Sequence, residues 1–407
     1  MNKRITGSDL YNYGKCAHKP YMDIHGNPKE KQDVHPLVKL LWESGVQYED
    51  LVLDYLKDLY PYKSWCELEP ELTDKEKAFE ITLNAMNKGI DYIYQGSIMT
   101  DEYFGRPDLL IKVDGKSKFG DYHYIPVDIK LARVEDTWDD GKERLNNSQK
   151  WQVMFYGDIL EQIQGKRPEA GYIYKTRSRK LKVDLNRQDN YYDKALSTIK
   201  SYNEVDSSYP ALSSICKMCE WKASCKSRLS KDNDASMLFY VGRAMQTGLK
   251  AIDIETVEDL SRQDPAELRN KVSNLKKSGF FWKSMSLDLV DKSIARAKVF
   301  QSKKEVVYTP FEFPESDFEI HYDIEDDPTQ DFVYLHGLVI ANKNGDSEYV
   351  GLLAQTRDDE KRITEEFIDI LHEYKDAPVY HYSNYENSTL RRLIGKYPDL
   401  DQSIYED

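Results

Sequence analysis

Apolar positions recur at helical spacing from Val34 to Tyr60, at Leu37, Leu41, Tyr48, Leu51, Val52 and Tyr55, and predict one long helix with Gly45 as a tolerated small residue inside it. A second helical stretch runs roughly from Asp74 to Lys88. Strand-like runs follow at about 92–99, 108–113 and 122–131. Gln149 to Gln164 returns to the helical period, Gly171 to Thr176 and Leu181 to Leu185 read as strands, and Asn190 to Tyr202 closes this part as a helix. Helix, strands, helix, strands, helix is the order of an α/β core.

Residues 232–305 carry mostly helical patterns, with Thr256 and Asp259 spaced to cap a short helix. From Tyr308 the period changes to that of strands, over Phe318 to Ile324, Phe332 to Ala341 and Tyr349 to Ala354, with Asn344-Gly345 as a hairpin turn signal. A helix from about Asp358 to Tyr374, a strand from Pro378 to Tyr382 and a helix from about Tyr385 to Tyr397 complete the pattern. Three parts result: an α/β unit over 1–230, a helical linker over 231–305 and a second α/β unit over 306–407. Within the linker, Gly248 to Leu268 faintly resembles a helix-hairpin-helix element.

Composition narrows the classes. The chain has 407 residues, 40% of them hydrophobic, and thirty tyrosines, which excludes a disordered or low-complexity protein. Met1 to Gly14 has no apolar segment with a cleavage site, and no apolar run approaches membrane-spanning length, so a cytoplasmic protein without membrane attachment is expected. A net charge of −14 argues against coating nucleic acid by bulk electrostatics. Locally the balance differs. Lys166, Arg167, Lys175, Arg177, Arg179, Lys180 and Lys182 face only Glu169 in their stretch, whereas residues 311–331 hold nine acids and no Lys or Arg.

The segment Tyr124 to Arg133 concentrates the chemistry. Strand alternation places Asp128 and Lys130 on one side, expected to be the open face toward a cleft, and Val127, Ile129 and Leu131 on the other. Upstream, Asp108 opens another apolar strand in G-R-P-D-L-L-I-K. Two carboxylates from adjacent strands suit magnesium or manganese. Such a cation serves phosphodiester hydrolysis, with Lys130 positioning water and stabilising charge on the phosphate. Gln152 and Tyr156 share a helix face four residues apart.

Asp108, then Asp128-x-Lys130, then Gln152-x-x-x-Tyr156 resembles the motif series of RecB-like PD-(D/E)XK nucleases, with a restriction-endonuclease-like core. The resemblance implies that Gln152 and Tyr156 help position substrate. The family's first motif, G-x-x-H-E, corresponds to Gly45-Val-Gln-Tyr48-Glu49, where Tyr48 stands in place of the histidine and Glu49 takes over part of the metal role.

Five cysteines in so long a chain are no disulfide scaffold, and clustered cysteines in a reducing compartment point to metal or a cluster. Cys216-x2-Cys219-x5-Cys225 follows the core and Cys16 precedes it. Four thiolates suit either structural zinc or a 4Fe-4S cluster. One cysteine far upstream and three downstream resembles the iron-sulfur branch of the RecB-like nucleases, which implies a 4Fe-4S staple. Cys66 reads as a core residue and His18 as a surface histidine.

In H-Y-D-I-E-D-D, alternation puts Asp323 and Glu325 on one face. With Glu386 as a third acid after the fourth strand, residues 308–407 resemble RNase H-like DEDD exonucleases. That resemblance implies a second metal site, and the end of the chain at Asp407 leads us to expect an incomplete domain without nuclease activity of its own.

The expected function is a metal-dependent deoxyribonuclease acting on single-stranded DNA ends, the preference for ends coming from the resemblance. A catalytically weakened DNA-binding or assembly module and a ribonuclease working through the C-terminal acids are the alternatives. No G-x-x-x-x-G-K-[ST] loop is present, so an ATP-driven helicase is expected only from a partner or from an extension beyond these residues.

Overall fold

The computed structural model describes residues 4–69, 72–131, 135–137, 143–175, 179–186, 188–203, 208–277, 287–307, 310–327 and 331–401. Arg133, Arg177, Tyr308 and Asp407 lie outside these residues. The chain divides into two compact units, Met1–Val306 and Val307–Asp407.

In the first unit, β1 (Ile5–Thr6) leads into α1 (Gly7–Lys15). The helix starts at a reciprocal cap: Asp9 N donates to Thr6 Oγ1 at 3.2 Å and Thr6 N donates to the Asp9 carboxylate at 2.8 Å. Then come α2 (His18–His25), α3 (Pro36–Leu59), β2 (Trp65–Glu67), α4 (Lys75–Asn87), β3 (Tyr92–Tyr94), β4 (Ile98–Met99), β5 (Tyr103–Gly105), β6 (Leu109–Ser117) and β7 (Gly120–Ile129). A small hairpin, β8 (Glu135–Thr137) and β9 (Glu143–Leu145), precedes α5 (Asn147–Gln164), β10 (Ala170–Tyr174), β11 (Lys180–Asp184) and α6 (Asn190–Ser201). The run expected as one strand over 92–99 is instead broken into β3 and β4. Gln95 takes a left-handed conformation at φ 51°, and Gly96 passes so close to Ile93 that a Cβ there would meet Ile93 Cγ2 at 2.9 Å.

The main sheet has the order β11-β10-β7-β6-β3-β2. β6 and β7 form an antiparallel hairpin that closes at Ser117 opposite Gly120, the glycine at φ 124°. β10 then runs parallel to β7, with Tyr172 opposite Val127, a pairing that needs a crossover and receives it from α5. On one face α3 packs Val52, Leu53 and Leu56 against Leu109, Val127, Ile129 and Tyr174. The other face meets α5, whose Phe155, Ile159 and Leu160 are fully buried with Tyr124 and Ile173. Burying each such side chain contributes roughly 1.5–3 kcal/mol. β7 is therefore covered on both sides from His123 to Ile129. This corrects the expectation that Asp128 faces an open cleft.

α7 (Lys222–Lys231), α8 (Arg243–Lys250), α9 (Val257–Ser261), α10 (Pro265–Lys277) and α11 (Leu287–Ser302) follow. Leu249, Val257, Leu260, Leu268, Val272 and Val290 give this helical part a core of its own, although it belongs to the first compact unit. The expected cap is formed, with Thr256 Oγ1 accepting from Asp259 N at 3.0 Å.

The second unit runs β12 (Phe318–Asp327), β13 (Phe332–Asn342), β14 (Ser347–Leu353), α12 (Asp359–Glu373), β15 (Val379–Tyr380) and α13 (Tyr385–Lys396). Its sheet order is β14-β13-β12-β15, antiparallel except that β15 lies parallel to β12 after the α12 crossover. Gly345 supplies the positive φ of the hairpin turn. β12 alternates strictly: Ile320, Tyr322 and Ile324 are buried with Phe367 and Leu393, which leaves His321, Asp323 and Glu325 on the opposite, exposed face. Among the described residues no helix is long and apolar enough to cross a membrane.

Candidate active site

The end of β7 gathers the first unit's charged side chains. Asp108, in the turn before β6, is 7% exposed, and its Oδ2 accepts a hydrogen bond from Ile129 N at 2.6 Å. That bond ties the carboxylate to the neighbouring strand. Asp128 is completely buried, and neither of its oxygens has a hydrogen-bond partner. Lys130, just past the strand, places Nζ 3.2 Å from Asp128 Oδ2 and 3.7 Å from Asp108 Oδ2. These are ion pairs by distance, and the approach to Asp128 lacks hydrogen-bond alignment.

Glu49 reaches the group from α3. Its Oε2 accepts from Tyr94 Oη at 3.3 Å and Gln95 Nε2 at 3.2 Å. Gln95 Nε2 also lies 3.4 Å from Asp108 Oδ1. Burial, then the charge of Asp108, pushes the Glu49 carboxyl up to about 7. Burial pushes Asp128 up as well, with the Lys130 ammonium pulling the other way. For Lys130, burial opposes the charged form, yet Asp128 and Asp108 outweigh it and hold the ammonium above the ordinary lysine range. Burial also raises Tyr11 of α1, which feels the Lys130 charge.

Gln152 and Tyr156 share their helix face as expected, with Gln152 Nε2 donating to Tyr156 Oη at 2.8 Å. Tyr156 is 3% exposed and packs in the core, where a Cβ on Gly7 or Gly105 would lie 2.8 Å from its ring. Burial and the Asp128 charge raise its phenol well above the ordinary value, so it stays protonated. Tyr48, where the resembling motif has histidine, donates its hydroxyl to the Lys175 carbonyl at 2.8 Å. Arg167, one of the basic residues read as facing only Glu169, is paired with Asp158 at 2.8 Å and Glu161 at 2.7 Å on α5.

Sequence reasoning passed over Gln95. Its signal was Gly96 within a strand-like run, which marks a bulge or a close backbone approach.

None of the five cysteines forms a disulfide. Cys16 ends α1, Cys216 lies within a short 3-10 turn at Ser214–Met218, Cys219 caps the end of that turn, and Cys225 lies in α7. Cys16, Cys216, Cys219 and Cys225 line one enclosed pocket. Burial, followed by the proximity of Cys219, Cys16 and Cys216, pushes the Cys225 thiol up to about 12. The two chain segments are docked by other bonds too: Trp221 Nε1 donates to Asp23 Oδ1 at 2.8 Å and Gln32 N to the Glu220 carbonyl at 2.8 Å. His18, expected at the surface, is 3% exposed and bonded through Nδ1 to Ser208 Oγ at 2.8 Å. It lines the cysteine pocket, and burial, with Arg243 and Arg228 adding to it, pushes it down to about 4. Cys66 packs partly buried against the main core.

In the second unit, Asp323 and Glu325 line an open pocket of about 570 Å³ with His321, Tyr349, Tyr380 and His381. Glu386 is 5% exposed and is not among the lining residues; its Oε2 lies 3.4 Å from His381 Nδ1. Among the described residues, no three His, Cys, Asp or Glu side chains in either unit converge tightly enough to grip a single ion.

Residues 320–405 match the RNase H superfamily. The second unit is thus an RNase H-like domain, a nuclease-type fold, in agreement with three antiparallel strands, a crossover helix and a parallel fourth strand. No curated protein matches the chain.

Proposed function

We propose that residues 1–230 form a RecB-like PD-(D/E)XK nuclease of the iron-sulfur branch, which hydrolyses DNA phosphodiesters from single-stranded ends with the aid of magnesium or manganese. The observation that carries this reading is the meeting of Asp108, Asp128 and Lys130 at the end of β7, with both Asp128 oxygens buried and without hydrogen bonds. An unpartnered buried polar group costs roughly 1–3 kcal/mol, and a charged one more. The Lys130 ammonium offsets part of that cost by charge alone, and a cation on the same oxygens would offset more.

Asp108 and Asp128 fit a hard cation as oxygen donors, with Glu49 beside them. Two carboxylates suffice for magnesium, which keeps several waters and takes further oxygens from substrate phosphate. When bound, the cation supplies Lewis acidity at the phosphoryl oxygen. Lys130 holds its ammonium beside both carboxylates as an ion pair, and its N–H groups can turn toward a phosphate oxygen or an attacking water. The Tyr156 hydroxyl, kept protonated, donates and orients; Gln152 fixes that hydroxyl.

The four cysteines would hold a 4Fe-4S cluster. Four thiols that share one pocket suit either structural zinc or a 4Fe-4S cluster, and the resemblance to the iron-sulfur branch favours the cluster. Its place between the end of α1 and α7 makes it a staple at the two ends of the nuclease core.

The test is a nuclease assay on end-labelled single-stranded and duplex DNA, in manganese and in chelator. Manganese-dependent shortening of single strands supports the reading. Absence of cleavage by protein with its iron content intact leaves the DNA-binding module.

One observation favours a second reading. Asp323 and Glu325 stand exposed on the sheet face of an RNase H-like domain, which suits a ribonuclease acting through those acids. RNA cleavage abolished by Asp323→Ala would support it.

A further inference from the structure

Gln95 occupies a backbone conformation that glycine would adopt without strain. Its φ of 51° lies in the left-handed region, where a side chain costs free energy. The conformation is held from several directions: Gln95 N donates to the Asp108 carbonyl at 3.0 Å, and Arg106 Nε donates to the Gln95 carbonyl at 3.1 Å. What the strained position gains is reach. From it the Gln95 amide nitrogen stands 3.2 Å from Glu49 Oε2 and 3.4 Å from Asp108 Oδ1, so one NH2 group spans carboxylates from α3 and from the turn before β6.

An amide suits this task better than a charged group. Its two N–H donors can serve two carboxylates at once, and it adds no positive charge. A lysine in its place would compete with a divalent cation for the same oxygens. Gln95 holds the oxygens apart and aimed while leaving their negative charge to the ligand.

We propose that Gln95 is a positioning residue that sets the spacing of Glu49 and Asp108 for divalent-cation binding. The inference rests on the nuclease reading of this site. Groups that orient metal ligands in this way typically account for roughly 10–100-fold in metal affinity.

Gln95→Gly deletes the amide while relieving the backbone, and Gln95→Asn keeps an amide but shortens its reach. Titration of the metal-free full chain with Mn2+, together with its melting temperature, reads the two effects separately. The expected result is affinity for Mn2+ weakened about 10–100-fold in both variants, with the melting temperature of Gln95→Gly equal to or above that of the native chain. Native affinity in either variant overturns the inference, and so does a fall in melting temperature in both, which would make the side chain a structural tie. Asp128→Ala in the same titration separates this from the underlying reading. If Asp128→Ala binds Mn2+ as the native chain does, the metal site itself is wrong; if it loses Mn2+ while Gln95→Gly does not, the positioning role alone fails.

Discussion

Lys130 Nζ stands 3.2 Å from Asp128 Oδ2, and the two side chains differ sharply in exposure, 23% for the lysine and 1% for the aspartate. The lysine thus compensates a charge that has no access to water. Lys130→Ala should destabilise the first unit by about 3 kcal/mol near neutral pH, the lower end of what a broken buried pair costs, because Lys130 is itself partly exposed. Denaturant unfolding checks this. A loss below about 0.5 kcal/mol, as for an ordinary surface substitution, would show that the pair does not hold the strand end.

Stability of the metal-free protein should fall as pH rises across this site. The ordinary pKa values of a glutamate and an aspartate, 4.5 and 3.8, are raised by burial in the folded chain to about 7 for Glu49 and about 6 for Asp128. The folded state therefore keeps protons that the unfolded chain has released, and their stabilisation is complete below about pH 4 and lost as pH climbs through 6 to 7. Divalent cations compete with those protons, so Mn2+ should raise the melting temperature more at about pH 8 than at about pH 5.5. Equal increments at both pH values would contradict the assignment.

Much of this site can be read in the sequence because strand alternation is rigid. Asp128 and Lys130 are two apart, and Lys130, one residue past β7, still donates its N–H to the Tyr174 carbonyl at 3.0 Å, so the alternation extends to it. What alternation leaves open is whether the face they share is bare, and here α5 covers it, placing Phe155 and Tyr156 in the core beside β7. That depends on the long crossover between β7 and β10, which no local pattern specifies. The break at Gln95 was hidden for a related reason: Tyr92, Ile93 and Ile98 keep the hydrophobicity of one continuous strand, and the left-handed turn at Gln95 with the close approach of Gly96 to Ile93 comes only with the fold. His18 reads as polar and hence exposed, yet its bond to Ser208 joins segments far apart in sequence. In the second unit the alternation of β12 was fully legible, but the position of Glu386 was not, since its partner His381 lies in a loop whose path follows from the tertiary fold.

Cys16→Ser and Cys219→Ser should each remove most of the iron from anaerobically purified protein and lower its melting temperature, whereas Cys66→Ser should leave the iron unchanged. The first two line one pocket; Cys66 packs against the sheet core. Iron and acid-labile sulfide analysis decides the matter. Stoichiometric zinc without iron would overturn the cluster and keep the staple.

Asp323→Ala should leave manganese-dependent DNA cleavage within about twofold of the native rate and cost less than about 0.5 kcal/mol, because the residue is exposed on an open sheet face. Loss of DNA cleavage in this variant would move the activity to the RNase H-like domain.

The central claim is tested most directly by comparing the native chain with Asp128→Ala on one end-labelled single-stranded DNA in manganese, after both are matched for iron content and folded fraction. Asp128 is buried beside the lysine and offers two oxygens with no other partner, so its removal should lower the cleavage rate by at least about 100-fold, on the scale of removing a main transition-state contact. Cleavage by Asp128→Ala at the native rate would contradict the account.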